Sequence, residues 1–303
     1  MFEQIKIMIF MKYDYFCVST IHNNMSGHGI SLLIAACIMS ACSVDYATKI
    51  TISARPESTK SGFDADGKIA FVDGDCMTIF DGSHNRKFTT SAVYDDGSAD
   101  FSGVVSTPQD SYIAVFPYQE NCNLYGDGVR LNILHVQEAV AGSFDPLTNL
   151  SVGRAEIVGG KYSVNLKNVC ALLKFSVPVG TSYAAAMFQT NYEYLTGAML
   201  CSVDDAPVLT PDYEPTTSSV ILKGTITGGN WYYMAVSPAV LEGGFALHLF
   251  DSMQDLDRGS FSTVKATNTT ITLKRSEILN LGIIGAEPGA AFETIAGETV
   301  FNW

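Results

Sequence analysis

His84, His135 and His248 are the only histidines after residue 41. Imidazole is the commonest general base and a frequent metal ligand, so catalysis or metal binding would be sought there first. The three stand far apart. None lies in a His-Glu-x-x-His frame, and the chain has no Gly-x-Ser-x-Gly elbow or Walker-type glycine loop. His248 alternates with Leu247 and Leu249, which predicts a structural histidine in a strand rather than a ligand. His84 follows Gly82-Ser83, which predicts a solvated ring in a turn. Carboxylates are plentiful, and glycoside hydrolysis needs two of them, but no spacing selects one pair. Asp64-Ala65-Asp66-Gly67 and Asp95-Asp96-Gly97-Ser98-Ala99-Asp100 are fragments of calcium loops. Counted from Asp64, Lys68 falls where an oxygen ligand is needed, so turn chemistry is expected at both. These residues predict no enzyme, no cofactor and no metal.

Cys42 carries the clearest chemistry. An apolar run from Ile30 to Met39 leads into Ser40-Ala41-Cys42-Ser43. Small residues before a cysteine, after an apolar segment, resemble the lipobox of bacterial lipoproteins. The run is short for a bilayer span and suits the apolar region of a signal peptide. The expectation is that residues 1–41 are removed and that Cys42 is acylated, tethering the protein to a membrane. The first 24 residues fit a signal peptide less well, and Met11 and Met25 are alternative starts.

Net charge is −13 over 303 residues. Glu3 and Asp14 balance Lys6 and Lys12, so the acidity belongs to the chain after residue 41. Such a chain repels nucleic acid, which is excluded as a partner, and suits solubility at a cell surface. Of seven cysteines, Cys76, Cys122, Cys170 and Cys201 remain after Cys42, with no CxxC pair. Export permits disulfides, but Cys170 and Cys201 lie in apolar runs and read as buried strand residues.

The positioning elements are strands throughout. Lys49–Ser53, Lys68–Phe71, Cys76–Phe80, Tyr112–Phe116, Tyr162–Leu166 and Ala171–Val177 alternate or run apolar. Asp73-Gly74-Asp75, Asp81-Gly82, Asp96-Gly97, Gly126-Asp127-Gly128 and Gly159-Gly160 punctuate them. Short strands with regular turns predict a sandwich or barrel. Val177-Pro178-Val179-Gly180 reads as a domain joint. Beyond it Val220–Leu222, Trp231–Val236, Phe245–Phe250, Ser260–Ser262 and Thr269–Leu273 restart the pattern. Ala184–Met187 reads as one helical turn, and Asp204–Ser219, with its prolines, as a loop. The expected organisation is a signal peptide over 1–41, β-sandwiches over 42–178 and 179–285, and a tail over 286–303. Ile79, Val115, Leu172 and Phe175 are expected in the first core, and Met234, Val236, Leu247 and Leu249 in the second. Tyr232 and Tyr233 should face opposite sides, one inward and one to solvent.

Four segments in order resemble the fimbrillin-like lipoprotein pilins of Bacteroidales. They are Gly67–Phe80 around Asp73-Gly74-Asp75, Ile113–Tyr118 ending in Phe116-Pro117-Tyr118, Leu166–Phe175, and Trp231–Pro238. Phe71 stands where the family's first strand has Trp. The resemblance spans roughly residues 48–285 and implies an all-β fold of two tandem transthyretin-like sandwiches. It further implies a non-catalytic structural or adhesive pilus subunit at the cell surface or outer membrane. Its partners would be other pilin subunits, the membrane through the lipid on Cys42, and a host or glycan ligand. The alternative is a surface glycan-binding lipoprotein, for which Trp231, Tyr232, Tyr233 and Trp303 are the dense aromatic candidates.

In that family, trimming after an arginine is implied to free a groove filled by a strand of the next subunit. Here Pro56 follows Arg55, and a cut at Arg86 would remove the Gly-Asp hairpin, so that step is not carried over. The tail offers a donor strand instead. Thr299, Phe301 and Trp303 share one face, with Val300 on the other, in the mode of β-augmentation. Pairing of the tail within its own domain is the competing expectation.

Overall fold

The computed structural model describes residues 47–57 and 71–285. Cys42 and the segment before it, the Asp64–Gly67 fragment, and the tail with Thr299, Val300, Phe301 and Trp303 lie outside the described residues.

The chain is all-β. The first ten strands are β1 (Thr48–Pro56), β2 (Cys76–Asp81), β3 (His84–Val93), β4 (Ala99–Val105), β5 (Ser111–Phe116), β6 (Asn123–Tyr125), β7 (Gly128–Ile133), β8 (Val136–Glu138), β9 (Ser151–Val158) and β10 (Lys161–Asn168). Seven of them close into a barrel in the order β1-β10-β9-β5-β2-β3-β4. β1 runs parallel to β10 and antiparallel to β4, so it is hydrogen-bonded on both sides. Alternation sets what faces inward: Ile52, Met77, Ile79, Phe88, Phe101, Tyr112, Ala114 and Leu166 fill the interior. Phe71 stands edge-on to Phe101 and Phe116, with ring centroids 5.2 and 5.0 Å away. Gly74 has φ +90°, the left-handed geometry expected of the Asp73-Gly74-Asp75 turn.

The second half adds β11 (Ala171–Ser176), β12 (Ser182–Gln189), β13 (Thr196–Cys201), β14 (Leu209–Thr217), β15 (Ser219–Thr227), β16 (Trp231–Val236), β17 (Ala239–Leu241) and β18 (Phe245–Phe250). A six-residue helix α1 (Met253–Arg258) follows, then β19 (Thr263–Thr267), β20 (Ile271–Leu273) and β21 (Ile278–Ile283). A three-stranded sheet, β16-β11-β21, faces a five-stranded one, β19-β18-β12-β15-β8. Phe175, Phe188, Tyr232, Met234, Val236, Leu247 and Leu249 pack between them.

A third core joins the halves. The sheet β14-β13-β7-β6 supplies Val129, Leu131, Ile133, Met199 and Cys201 to it. The outer wall of the barrel gives Phe80, Val115 and Val152, and the back of the three-stranded sheet gives Leu172 and Ala235.

Several expectations change. The joint expected at Val177–Thr181 is a turn inside the second sandwich, where Thr181 N–H donates to the Pro178 carbonyl. The pairing of β11 with β16 and β21 puts the passage from barrel to sandwich near Asn168–Ala171. β7 and β8 also leave the first half, to pair with β13 and β15. Phe175 therefore belongs to the second core, and Val115 and Leu172 to the shared one. Leu172 and Phe175 are three positions apart, so a strand must turn them to opposite faces. Ala184–Met187 lies in β12 rather than a helical turn, because two neighbouring strands take up its backbone groups. The Asp204–Ser219 stretch contains β14, an edge strand, where a proline costs no ladder bond on the open side. Ser260–Ser262 precedes β19 rather than forming a strand. The helix α1 follows from local chemistry: the Ser252 side chain caps the Asp255 N–H, and Gly259 ends the turn in the left-handed region.

Candidate functional site

The side chains best suited to chemistry are dispersed. His84 is exposed at the start of β3. His135 Nε2 lies 3.1 Å from Ser219 Oγ, and burial lowers its pKa. His248 is buried on β18 with the Phe261 ring 4.5 Å away, and burial pushes its pKa down to about 4. A neutral imidazole in that setting is a packing residue, as the Leu-His-Leu alternation suggested. Asp96 Oδ1 accepts the Ser98 N–H at 3.0 Å and the Ser98 hydroxyl, the geometry of an Asx turn. Among the described residues, no group of three or more His, Cys, Asp or Glu is placed to hold a metal ion.

Cys122, Cys170 and Cys201 are free thiols within the shared core. Burial pushes each up to about 12. They are protonated at neutral pH and behave as apolar core atoms. Cys76, half-buried, donates to the Gly74 carbonyl at 3.3 Å.

More informative is how the open sandwich treats its edges. Antiparallel pairing turns alternate residues of β16 away from β11, and Gln137 meets them with its side chain. Its Nε2 donates to the Ala235 carbonyl at 2.7 Å, and its Oε1 accepts the Ala235 N–H at 2.9 Å. A third bond ties Nε2 to the Leu134 carbonyl at 3.0 Å. The fully buried amide thus imitates a neighbouring strand. Gly142 N–H to the Trp231 carbonyl and Ser237 N–H to the Leu195 carbonyl cover the ends of the same edge. On the other side of the sheet, β21 is an edge strand among the described residues. Lys265, from β19 of the facing sheet, donates Nζ to the Leu281 carbonyl at 2.8 Å. Ile283 at the end of that edge is half exposed.

A charged clasp sits where β1 ends. Arg275 Nη1 donates to Glu57 Oε2 at 2.6 Å and to the Asn168 carbonyl at 2.7 Å. The Ser276 hydroxyl and the Asn168 N–H both donate to Glu57 Oε2 at 3.0 Å. Burial alone would raise the pKa of Glu57, but the bonds from Arg275 and Ser276 and the Arg275 charge hold it below its ordinary value. The clasp links the first strand, the end of β10 and the approach to β21. Nothing in the sequence around Glu57, Gln137 or Lys265 marks these roles; each depends on a partner that only folding brings near.

The aromatic cluster proposed for glycan contact is divided by the fold. Tyr232 is in the second core. One of the two tyrosines is expected to face solvent, yet Tyr233, on the opposite face of β16, is only 7% exposed. Lys174 Nζ stands 4.5 Å from the Trp231 ring and 5.7 Å from that of Tyr233, and Trp303 lies outside the described residues.

No protein-family model matches the chain, and no curated protein matches it. Solved structures similar to it include a candidate cell adhesion protein of Bacteroides uniformis, at 15% identity and a TM-score of 0.47, covering 80% of this chain and 94% of that one. A candidate cell adhesion protein of Bacteroides thetaiotaomicron is 12% identical with a TM-score of 0.41, covering 84% and 100%. The tip fimbrial protein Mfa3 of Porphyromonas gingivalis is 13% identical with a TM-score of 0.32, covering 80% and 85%. Likeness at these identities and scores carries no function over to this chain.

Proposed function

We propose that this chain is a non-catalytic structural or adhesive subunit of a bacterial surface pilus, anchored through lipid on Cys42 and joined to other pilin subunits by β-strand exchange. The observation that carries the reading is β21. It is the last described strand, it forms the edge of a three-stranded sheet that faces five strands, and the tail follows it directly. An edge of this kind accepts an added strand through main-chain hydrogen bonds, with side-chain pockets giving selectivity. The four segments that resemble fimbrillin-like proteins support it too, since β11 and β16, which carry two of them, are paired partners. On this reading the two β-bodies are relatives of transthyretin-like sandwiches, and the protein works outside the cell.

Removing Ala296–Trp303 tests the exchange. Under strand donation the monomer keeps its melting temperature while polymers disappear from electron micrographs. A fall in melting temperature would instead place the tail in its own domain. The anchor is tested separately by feeding cells a labelled fatty acid. Wild-type protein should carry the label and lose residues 1–41; equal labelling and processing of Cys42→Ser would refute acylation at that cysteine.

A further inference from the structure

The connection from β12 to β13 and the turn between β17 and β18 meet at one end of the second sandwich. We propose that this end binds a neutral glycan, with the Tyr192 ring as the stacking platform. Tyr192 is 74% exposed and Tyr194 41% exposed, yet the neighbouring Leu195 is fully buried, so the loop is anchored immediately behind them. Tyr192 is also held in place. A Cβ added at Gly243 would meet its ring at 3.2 and 3.4 Å, and the Asn191 amide nitrogen at 3.5 Å. Glycine at 243 lets the ring rest against the main chain there, and a side chain would have to displace it. The two loops are tied together as well, because the Glu242 N–H donates to Glu193 Oε1 at 3.0 Å. The Thr190 hydroxyl donates to the Glu193 carbonyl at 2.9 Å.

A tyrosine that is exposed but already fixed loses little freedom on binding, which is how rigid aromatic contact surfaces work. Its flat face suits the C–H side of a pyranose ring, while the Asn191 amide and the exposed Glu242 carboxylate offer a donor and an acceptor to sugar hydroxyls. The carboxylates of Glu193 and Glu242 repel anionic sugars and so select neutral ones. The site is separate from the aromatic run at Trp231–Tyr233, and it does not depend on pilus assembly.

The test titrates the full chain with maltotriose, cellotriose, chitotriose and lactose, and with sialyllactose as the anionic counterpart. Isothermal titration and saturation-transfer NMR give the readout. At least one neutral sugar should bind saturably at concentrations up to about 10 mM. Tyr192→Ala should weaken that binding at least about tenfold, and Tyr192→Phe, which keeps the stacking face, by no more than about threefold. Both variants should melt as the wild type does, since the ring is exposed. Gly243→Val, which pushes the ring from its seat, should weaken binding as Tyr192→Ala does. The proposal is overturned if no neutral sugar binds, if Tyr192→Ala binds as well as wild type, or if sialyllactose is preferred. It is equally overturned if Tyr192→Ala abolishes association with another protein while the wild type binds no sugar.

Discussion

The barrel and the sandwich solve the same problem in opposite ways. In the barrel, β1 closes the sheet between β4 and β10, so every strand has two neighbours. Closure removes edges outright. The sandwich sets three strands against five and leaves edges at β16 and β21, which borrowed groups meet only at single points: the Gln137 amide and the Gly142 N–H on β16, the Lys265 ammonium on one carbonyl of β21. A closed sheet is self-sufficient, whereas an open one depends on side chains contributed from elsewhere. Those borrowed contacts are where the sandwich can be altered without touching its core.

The largest expected effect tests whether the two bodies are independent. Phe101 and Phe175 are fully buried, one in each core. Phe101→Ala and Phe175→Ala should each cost about 3–5 kcal/mol in urea unfolding. The shared core of barrel wall, middle sheet and sandwich back should make the described body unfold in one transition for both variants. Two separated transitions, each shifted by one variant alone, would show the bodies to be uncoupled.

Next comes the strand imitation. Gln137→Leu keeps the volume but leaves the Ala235 N–H and carbonyl buried without their partner. The expected loss is at least about 2 kcal/mol, since each orphaned group costs at least roughly 1 kcal/mol. Amide exchange at Ala235 should rise with it. An unchanged exchange rate would mean that the Gln137 amide does not protect this edge.

The smallest effect concerns the clasp. Glu57 has a lowered pKa in the folded chain. Its contribution is therefore fully present above the unfolded value of about 4.3 and is lost as pH falls through the folded value. The pair is partly exposed, so Glu57→Gln should cost about 1 kcal/mol at pH 7 and less in strong salt. The difference between variant and wild type should shrink on acidification below about pH 4. A difference that stays constant with pH would assign the effect to packing rather than charge.

The comparison also explains what was legible in the chain. Thr48–Pro56 announces a strand by alternation, whereas Cys76–Asp81 and Phe245–Phe250, buried almost throughout, announce theirs as short apolar-rich runs. Val177-Pro178-Val179-Gly180 announces a turn equally well, but a turn does not say whether it ends a domain or only a strand. Ala171–Ser176 is the instructive segment. Ala171, Leu173 and Phe175 serve the second core while Leu172 serves the shared one, and this makes the segment resemble the closing strand of either half. The Gln137 amide, the Lys265 tip and the Glu57 clasp could not be read at all, since each is defined by a main-chain group between 16 and 111 residues away that only folding brings near. The Tyr192 platform was hidden for a different reason. The aromatic run at Trp231–Tyr233 is dense in the sequence, whereas the exposed rings lie in a loop with no pattern of its own.

The position of β1 has a mechanical meaning. Residues 48–56 lie along β10 in parallel and along β4 antiparallel, with ladder bonds on both flanks. A pull directed along the strand from its N-terminal side loads those flanks in shear, and many bonds must yield together. The same pull across a strand end would open them one after another, like a zip. How long such a body survives under tension is set by its unfolding rate rather than by its equilibrium stability. If the tether proposed at Cys42 holds, the first described strand to feel it is the one gripped from both sides.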